Sequence, residues 1–391
     1  MYLVRYINIF SVELMEFRLT EEQEMIKNLA RDFARNEIAP AADKFDRTGE
    51  FPHDILSKVR EVGLINLCIP EVYGGDGLTP IEMVLVTEEL GWGCTGITVA
   101  VTVTNGLAAE PILLAGTEEQ KKRYLGMLSV GLGSYCVTEP NAGSDMASIN
   151  TRARRVGKGF ELDGQKTWIS NAHEASFFIV FAKTDPEAGH RGISAFIVDR
   201  DLPGVEVSKK LPKMGQRACD CCEVIFKQVE LAPEALLGNE GDGFKLAMRV
   251  FDSSRTVIGA LSVGLSQRAL DESLQFAKER EAFGQPIIGF QGIGFKIAEM
   301  GMRTQASRLL TYQAAYKNAV GERSTLEASY AKTFASDTAM WAATEAVQIH
   351  GGYGYSEEYP VEKLMRDAKV LQIYEGTNEI QRLIMVRELS K

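Results

Sequence analysis

Histidine is scarce in this chain of 391 residues, which has four, and the cysteines are only six, at 68, 94, 136, 219, 221 and 222. That shortage removes most metal centres. The one dense group, Cys219-Asp220-Cys221-Cys222, lacks the second ligand pair that a zinc site needs. Neighbouring residues of a strand also face opposite ways. The expectation is therefore no metal, and reduced thiols in a cytoplasmic protein. Basic residues are in deficit too, 43 Lys and Arg against 53 Asp and Glu, for a net charge of −10. Such a balance argues against general affinity for nucleic acid or anionic lipid, while leaving room for a local basic pocket that takes a phosphorylated ligand. Met1 to Leu14 is mildly apolar, with one charged base at Arg5. It has neither the length of a membrane span nor a signal-cleavage pattern. It reads as an extension ahead of a more natural start at Met15. No internal repeat or low-complexity tract occurs.

What is present divides the chain in three. Hydrophobic residues at 45% and charged residues at 25% describe a soluble globular protein, too long for one ordinary core. From Thr20 to about Leu128 the pattern is helical. Thr20 with Gln23, Thr79 with Glu82 and Thr117 with Gln120 have capping-box spacing, and Pro80 suits a first helical position. Ile26, Leu29, Ala30, Phe33 and Ala34 form one apolar stripe, expected to face a core. From about Gly131 to Leu231 short β-rich runs such as Ser176–Phe181 and Ile193–Val198 alternate with turn signals at Asp163-Gly164 and Pro203-Gly204. They predict an antiparallel barrel or sandwich. Beyond Gly241 long helical runs return, and Ala298, Met302, Gln305, Leu309, Tyr312 and Tyr316 make a stripe expected to be bundle core. The fold class is thus α+β and mostly α. An N-terminal helical domain covers 1–129, a middle β domain 130–246 and a C-terminal four-helix bundle 247–391.

Four segments carry candidate chemistry. Tyr135–Asp145 leaves a strand for a Gly/Ser/Asn-rich loop that either is a surface turn or cradles a pyrophosphate. No strand-to-helix glycine fingerprint lies near it, which removes a Rossmann site. Trp168, in Lys166–Asn171, is either core or a platform for a flat heterocycle. Gln348–Gly354 ends a helix in glycines, which helix termination alone explains, although the pair Gly351-Gly352 also admits close backbone approach. His350 has no evident acidic partner and reads as structural. Arg280 is either a helix-end cation or a phosphate partner. Near the end, Gln372–Gln381 sets the carboxylate of Glu375 between Tyr374 and Gly376. Glu375 is either a solvated turn residue or a walled-off base.

In that order along the chain, these segments resemble the acyl-CoA dehydrogenase flavoproteins, from about Phe17 onward. The resemblance implies FAD between the β domain and the bundle. Tyr135, Val137, Thr138, Gly143 and Ser144 would line the flavin, with Trp168, Ile169 and Ser170 beside it. Arg280, Gln291 and Gln348, Ile349, His350, Gly351 and Gly352 would reach the FAD of a neighbouring subunit in a homotetramer, a dimer of dimers. Thr377 and Glu379 would complete the cofactor site. Ser144, Asp252, Arg255, Tyr374 and Gly376 match positions that meet the acyl-CoA.

The resemblance also implies a mechanism. Desolvated Glu375 removes the α-proton, the β-carbon passes hydride to flavin N5, and trans-2-enoyl-CoA results. The Glu375 backbone N–H and a ribityl hydroxyl hold the thioester oxygen. Electrons leave to electron-transferring flavoprotein, as in fatty acid β-oxidation. Relatives specific for isovaleryl and long chains carry the base at the place of Ser254, which cannot serve. Nitroalkane oxidase-like relatives carry aspartate where Glu375 stands. The acyl tail is expected along Thr95–Asn105, which has no Arg or Lys, so a glutaryl tail is disfavoured and a short to medium chain, or a modest branch, fits. An acyl-CoA oxidase is the alternative. A DNA-associated relative is the minor one, at odds with the acidic charge.

Overall fold

The computed structural model describes residues 18–391; the extension expected over 1–14 lies outside them. All three capping boxes form: Thr20 opens α1 (Glu21–Phe33), Thr79 opens α4 (Pro80–Gly93), and Thr117 opens α7 (Glu118–Gln120). Between them run α2 (Ala39–Thr48) and α3 (His53–Glu61). The stripe on α1 turns inward at Ala30 and Phe33, while Leu29 is exposed. After α4, α5 (Thr95–Thr98) passes through a π-helical turn, Val99–Val103, into α6 (Thr104–Ala115). This continuous helix is long and apolar enough to cross a bilayer, yet it is mostly buried inside the protein, as a core helix is. Another π turn, Lys121–Leu125, leads to α8 (Gly126–Leu128), and a further one, Ala34–Ile38, joins α1 to α2.

The middle region is one eight-stranded sheet, ordered β6-β7-β3-β2-β4-β5-β8 with β1 also on β4. In chain order the strands are β1 (Leu132–Cys136), β2 (Arg152–Val156), β3 (Gly159–Ser170), β4 (Ala175–Lys183), β5 (Ile193–Asp199), β6 (Val205–Val207), β7 (Cys221–Leu231) and β8 (Leu236–Leu237). Most pairs are antiparallel as expected, but β1 runs parallel to β4 and so delivers its end into the following loop beside the sheet. Asp163-Gly164 is not a turn. It is a bulge inside β3, with Gly164 at φ 152, where an added Cβ would strike Thr151.

The C-terminal helices are α9 (Gly243–Glu279), α10 (Gln291–Ala319), α11 (Thr325–His350), α12 (Val361–Leu371) and α13 (Asn378–Leu389). A small hairpin, β9 (Glu281–Ala282) with β10 (Gln285–Pro286), joins α9 to α10. Helices α12 and α13 close against α11, and α4 lies along α9. That crossing is close because Gly264 leaves no side chain to meet the Glu88 carbonyl. The stripe expected as bundle core on α10 is corrected. Met302, Leu309 and Tyr316 are 62%, 45% and 57% exposed, and the inward face is Ile297, Met300, Thr304, Ser307, Thr311, Ala314 and Ala315. Small side chains let α10 approach its neighbours closely, so the bulkier stripe is left outside.

Candidate active site

Glu375 stands in the short turn between α12 and α13, held at φ 57, a backbone region that non-glycine residues seldom occupy. The turn is pinned from several sides. Lys332 Nζ, buried on α11, donates to the Gly376 carbonyl at 2.9 Å and to Asn378 Oδ1 at 2.7 Å. Gln381 Nε2 donates to the Glu375 and Gly376 carbonyls at 3.2 and 3.0 Å. Thr377 caps α13 through Ile380 N–H. Such over-determination is what a strained functional residue requires.

The Glu375 carboxylate accepts a hydrogen bond from Ser254 Oγ at 2.7 Å. Burial pushes its pKa above the ordinary carboxylate value, while the Ser254 hydroxyl and the charges of Arg255 and Lys332 pull it back. It is not a solvated turn residue. Arg255 is buried beside it, paired with Asp252 at 2.9 Å, and Asp252 is held in turn by Thr325 Oγ1 at 2.7 Å. Tyr374 Oη accepts from Gln216 Nε2 at 3.3 Å. Among the described residues the Glu375 N–H donates to no protein acceptor, which leaves it free for a ligand oxygen.

The β domain brings a second group to this place. Tyr135, on β1, packs edge-on against Phe181 and Phe251, and its buried hydroxyl has no partner. The Glu375 charge is near enough to add to the burial that raises its pKa. Val137 is buried and Thr138 receives Thr167 N–H at its carbonyl at 2.9 Å, so the strand is tied to β3 before the loop. Beneath that loop, Lys166 is fully buried and donates to Glu139 at 2.8 Å and to the Val137 carbonyl at 3.0 Å. Gly143 and Ser144 are exposed at the loop tip, with open space where a Cβ on Gly143 would lie. Trp168 is not core: its residue is 58% exposed at φ 60, whereas Ile169 beside it is buried. Ser170 accepts from Ser134 Oγ at its carbonyl.

Arg280, Ile349, His350, Gly351 and Gly352 line a separate open cleft of about 570 Å³ with Phe276 and Tyr353. It shares no residue with the Glu375 region. His350 stacks on Phe276 at 4.2 Å and pairs Nδ1 with the Ala346 carbonyl, and burial lowers its pKa. Arg280 lies over Tyr353. Gln348, Gln291 and Glu379 are exposed, outside both cavities. The orphan Tyr135 hydroxyl, the exposed indole of Trp168 and the open position at Gly143 are features that fit a flavin cofactor.

Sequence reading missed Lys332, Gln216 and the bond from Ser254, since each reaches the site across the fold, and it gave no role to the nearby Gln381. Cys219, Cys221 and Cys222 are buried free thiols. His173, Asp220 and Cys222 bring ligand-type atoms within 4.8 Å of one another, but His173 Nε2 already meets the Ser208 carbonyl at 2.9 Å.

Models of the acyl-CoA dehydrogenase N-terminal, middle and C-terminal domains match residues 20–131, 134–229 and 241–390. An acyl-CoA dehydrogenase of Bacillus subtilis (strain 168) is 45% identical over 373 residues, covering 95% of this chain and 98% of that one. The solved butyryl-CoA dehydrogenase of Megasphaera elsdenii superposes with a TM-score of 0.94 at 40% identity, covering 96% of this chain and all of the other. A chain solved with the description electron transferring flavoprotein of Acidaminococcus fermentans superposes with a TM-score of 0.94 at 41% identity, covering 96% and 99%.

Proposed function

This chain belongs to the acyl-CoA dehydrogenase family, oxidoreductases acting on CH–CH groups, and from that we propose that it desaturates a short- to medium-chain acyl-CoA with Glu375 as the α-proton base. The observation that carries the reading is the Glu375 carboxylate itself, pinned in a strained turn, partly buried with its pKa raised, and touched by one hydroxyl donor.

A thioester α-hydrogen is weakly acidic, and a base of raised pKa matches it better than a solvated carboxylate. Ser254 orients the carboxylate, and Arg255 and Lys332 surround it with positive charge without pairing to it directly. The free N–H of Glu375 is the donor this chain offers to the thioester oxygen, where charge builds as the proton leaves. FAD, when bound, supplies the hydride acceptor for the β-carbon. Tyr135, Val137, Thr138, Gly143, Ser144, Trp168, Ile169 and Ser170 would hold it, with Thr377 and Glu379. Asp252, Arg255, Tyr374 and Gly376 would position the thioester together with Ser144.

The likeness to butyryl-CoA dehydrogenase supports a short acyl chain, and the Acidaminococcus likeness supports an electron-transferring flavoprotein as acceptor. The exposed stripe Met302, Leu309 and Tyr316 supports subunit contacts in a homotetramer, in which Arg280, Gln291 and the Gln348–Gly352 segment would meet a neighbour's FAD. The test is an anaerobic titration of purified protein with butyryl- to octanoyl-CoA and branched thioesters, following flavin absorbance. Bleaching by a straight chain is the expected result. Failure to retain any flavin contradicts the reading, and rapid oxygen consumption without another acceptor makes it an oxidase.

A further inference from the structure

A cavity of about 250 Å³ opens beside the base, with Ser254 in its wall, and runs between α4, α6 and α9. Of the segment expected to carry the acyl tail, only Thr102, Val103 and Asn105 reach it. Thr95 is instead bonded to Asp367, and Ile97 and Ala100 pack in the helical core. The lining continues along α6 to Leu114 and is mostly apolar, with Met83, Leu107 and Val257 among its residues. One carboxyl interrupts it: Glu110, on α6.

No lysine or arginine lines the cavity. Ser253, immediately before Ser254, and the charge of Arg249 oppose the rise that burial gives the Glu110 pKa, while Glu375 and Asp252 add to it. Several other polar groups of the wall are bonded within the protein. Asn105 Nδ2 donates to Asn66 Oδ1 at 3.1 Å, Asn66 Nδ2 to the Leu128 carbonyl at 2.7 Å, and Thr102 Oγ1 to the Thr98 carbonyl at 2.8 Å. Glu110 is therefore the one carboxyl in this wall, with no lysine or arginine of the wall to pair with it.

We propose that Glu110 is a specificity-determining residue that selects acyl thioesters whose tail carries a hydrogen-bond-donating group, an amine or a hydroxyl, over plain hydrocarbon tails. The proposal rests on the dehydrogenase reading above. A hydrocarbon tail would strip water from Glu110 and give nothing in return, leaving a buried polar group unpaired. A donor-bearing tail replaces that water. Burial pushes the Glu110 carboxyl up to about 8, and a tail amine that enters neutral takes its proton, leaving an ammonium paired with the carboxylate. An acyl chain ending in a carboxylate meets a second acid and no lysine or arginine in the wall. Sites built to bond a polar substituent discriminate more strongly than apolar pockets that merely sense a methylene.

The test compares kcat/KM for hexanoyl-CoA, 5-hydroxypentanoyl-CoA and 5-aminopentanoyl-CoA, tails of equal heavy-atom count, with shorter and longer sets of the same kind. Wild-type enzyme is expected to favour a donor-bearing tail by roughly tenfold or more over its hydrocarbon match. In Glu110→Leu the order reverses, hydrocarbon tails gaining while polar tails lose. Glu110→Gln keeps the hydroxyl preference and loses that for the amine. A wild-type preference for hydrocarbon tails overturns the proposal while leaving the dehydrogenase reading intact. So does an equal loss on every tail in Glu110→Leu, the mark of a structural role. Absence of turnover with all thioesters overturns the dehydrogenase reading and this proposal with it.

Discussion

Ser254 Oγ lies 2.7 Å from Glu375 Oε2 and donates to the carboxylate proposed as the base. Its donated hydrogen bond favours the charged carboxylate and opposes the pKa rise caused by burial. In the proposed role Glu375 acts deprotonated, so turnover is expected to rise with pH through its pKa. In Ser254→Ala that limb moves to higher pH, because the ionised form has lost its donor. A hydrogen bond to a charged group is worth about 1.5–3 kcal/mol, so turnover on the acid side falls roughly tenfold or more and recovers at higher pH. The pH profile of kcat checks this; an unshifted limb contradicts it.

Lys332 fixes the turn from below through the Gly376 carbonyl and Asn378 Oδ1. Gln381 and Ser336 also donate to those acceptors, so Lys332→Met does not orphan them. The expected stability loss is about 1–2 kcal/mol, smaller than the loss of kcat as Glu375 drifts from its strained backbone position. Denaturant melts and steady-state kinetics on one preparation separate the two.

Lys166 and Glu139 form a buried ion pair under the loop that would hold FAD phosphates. Lys166→Met leaves Glu139 as an uncompensated buried charge and should cost about 3–5 kcal/mol. Adding Glu139→Gln should recover part of that loss, since the amide oxygen still accepts from Thr151 N–H. Chemical denaturation of the single and double variants measures both.

Tyr316 and Met302 present apolar surface on the outer face of α10. A charge placed there, as in Tyr316→Glu with Met302→Glu, is expected to reduce the oligomer to smaller species in light scattering while leaving the helix content unchanged. An unaltered mass contradicts the assignment of this face to subunit contacts.

How much of this was legible in the sequence follows from where each signal lives. The Glu375 turn and the Tyr135–Asp145 loop are contiguous, and their residue types survive as motifs. Capping boxes are equally local, and all three formed. The α10 stripe misled because periodicity identifies an apolar face without saying what covers it. The close-packed inner face uses alanine, serine and threonine, which look unremarkable in sequence. Ser254 to Glu375 spans 121 residues and Lys332 to Gly376 spans 44. No local pattern encodes such pairs. Trp168 shows the limit from the other side: its left-handed backbone at a β3 bulge, which turns the ring outward, is set by pairing with β7.

The central claim is that Glu375 removes the α-proton. Its most direct test is rapid anaerobic mixing of wild type and Glu375→Gln with an acyl-CoA that bleaches the wild-type flavin. The account predicts that the variant keeps its FAD, binds the thioester and leaves the flavin absorbance unchanged. Flavin reduction in Glu375→Gln at a rate near that of wild type would contradict it.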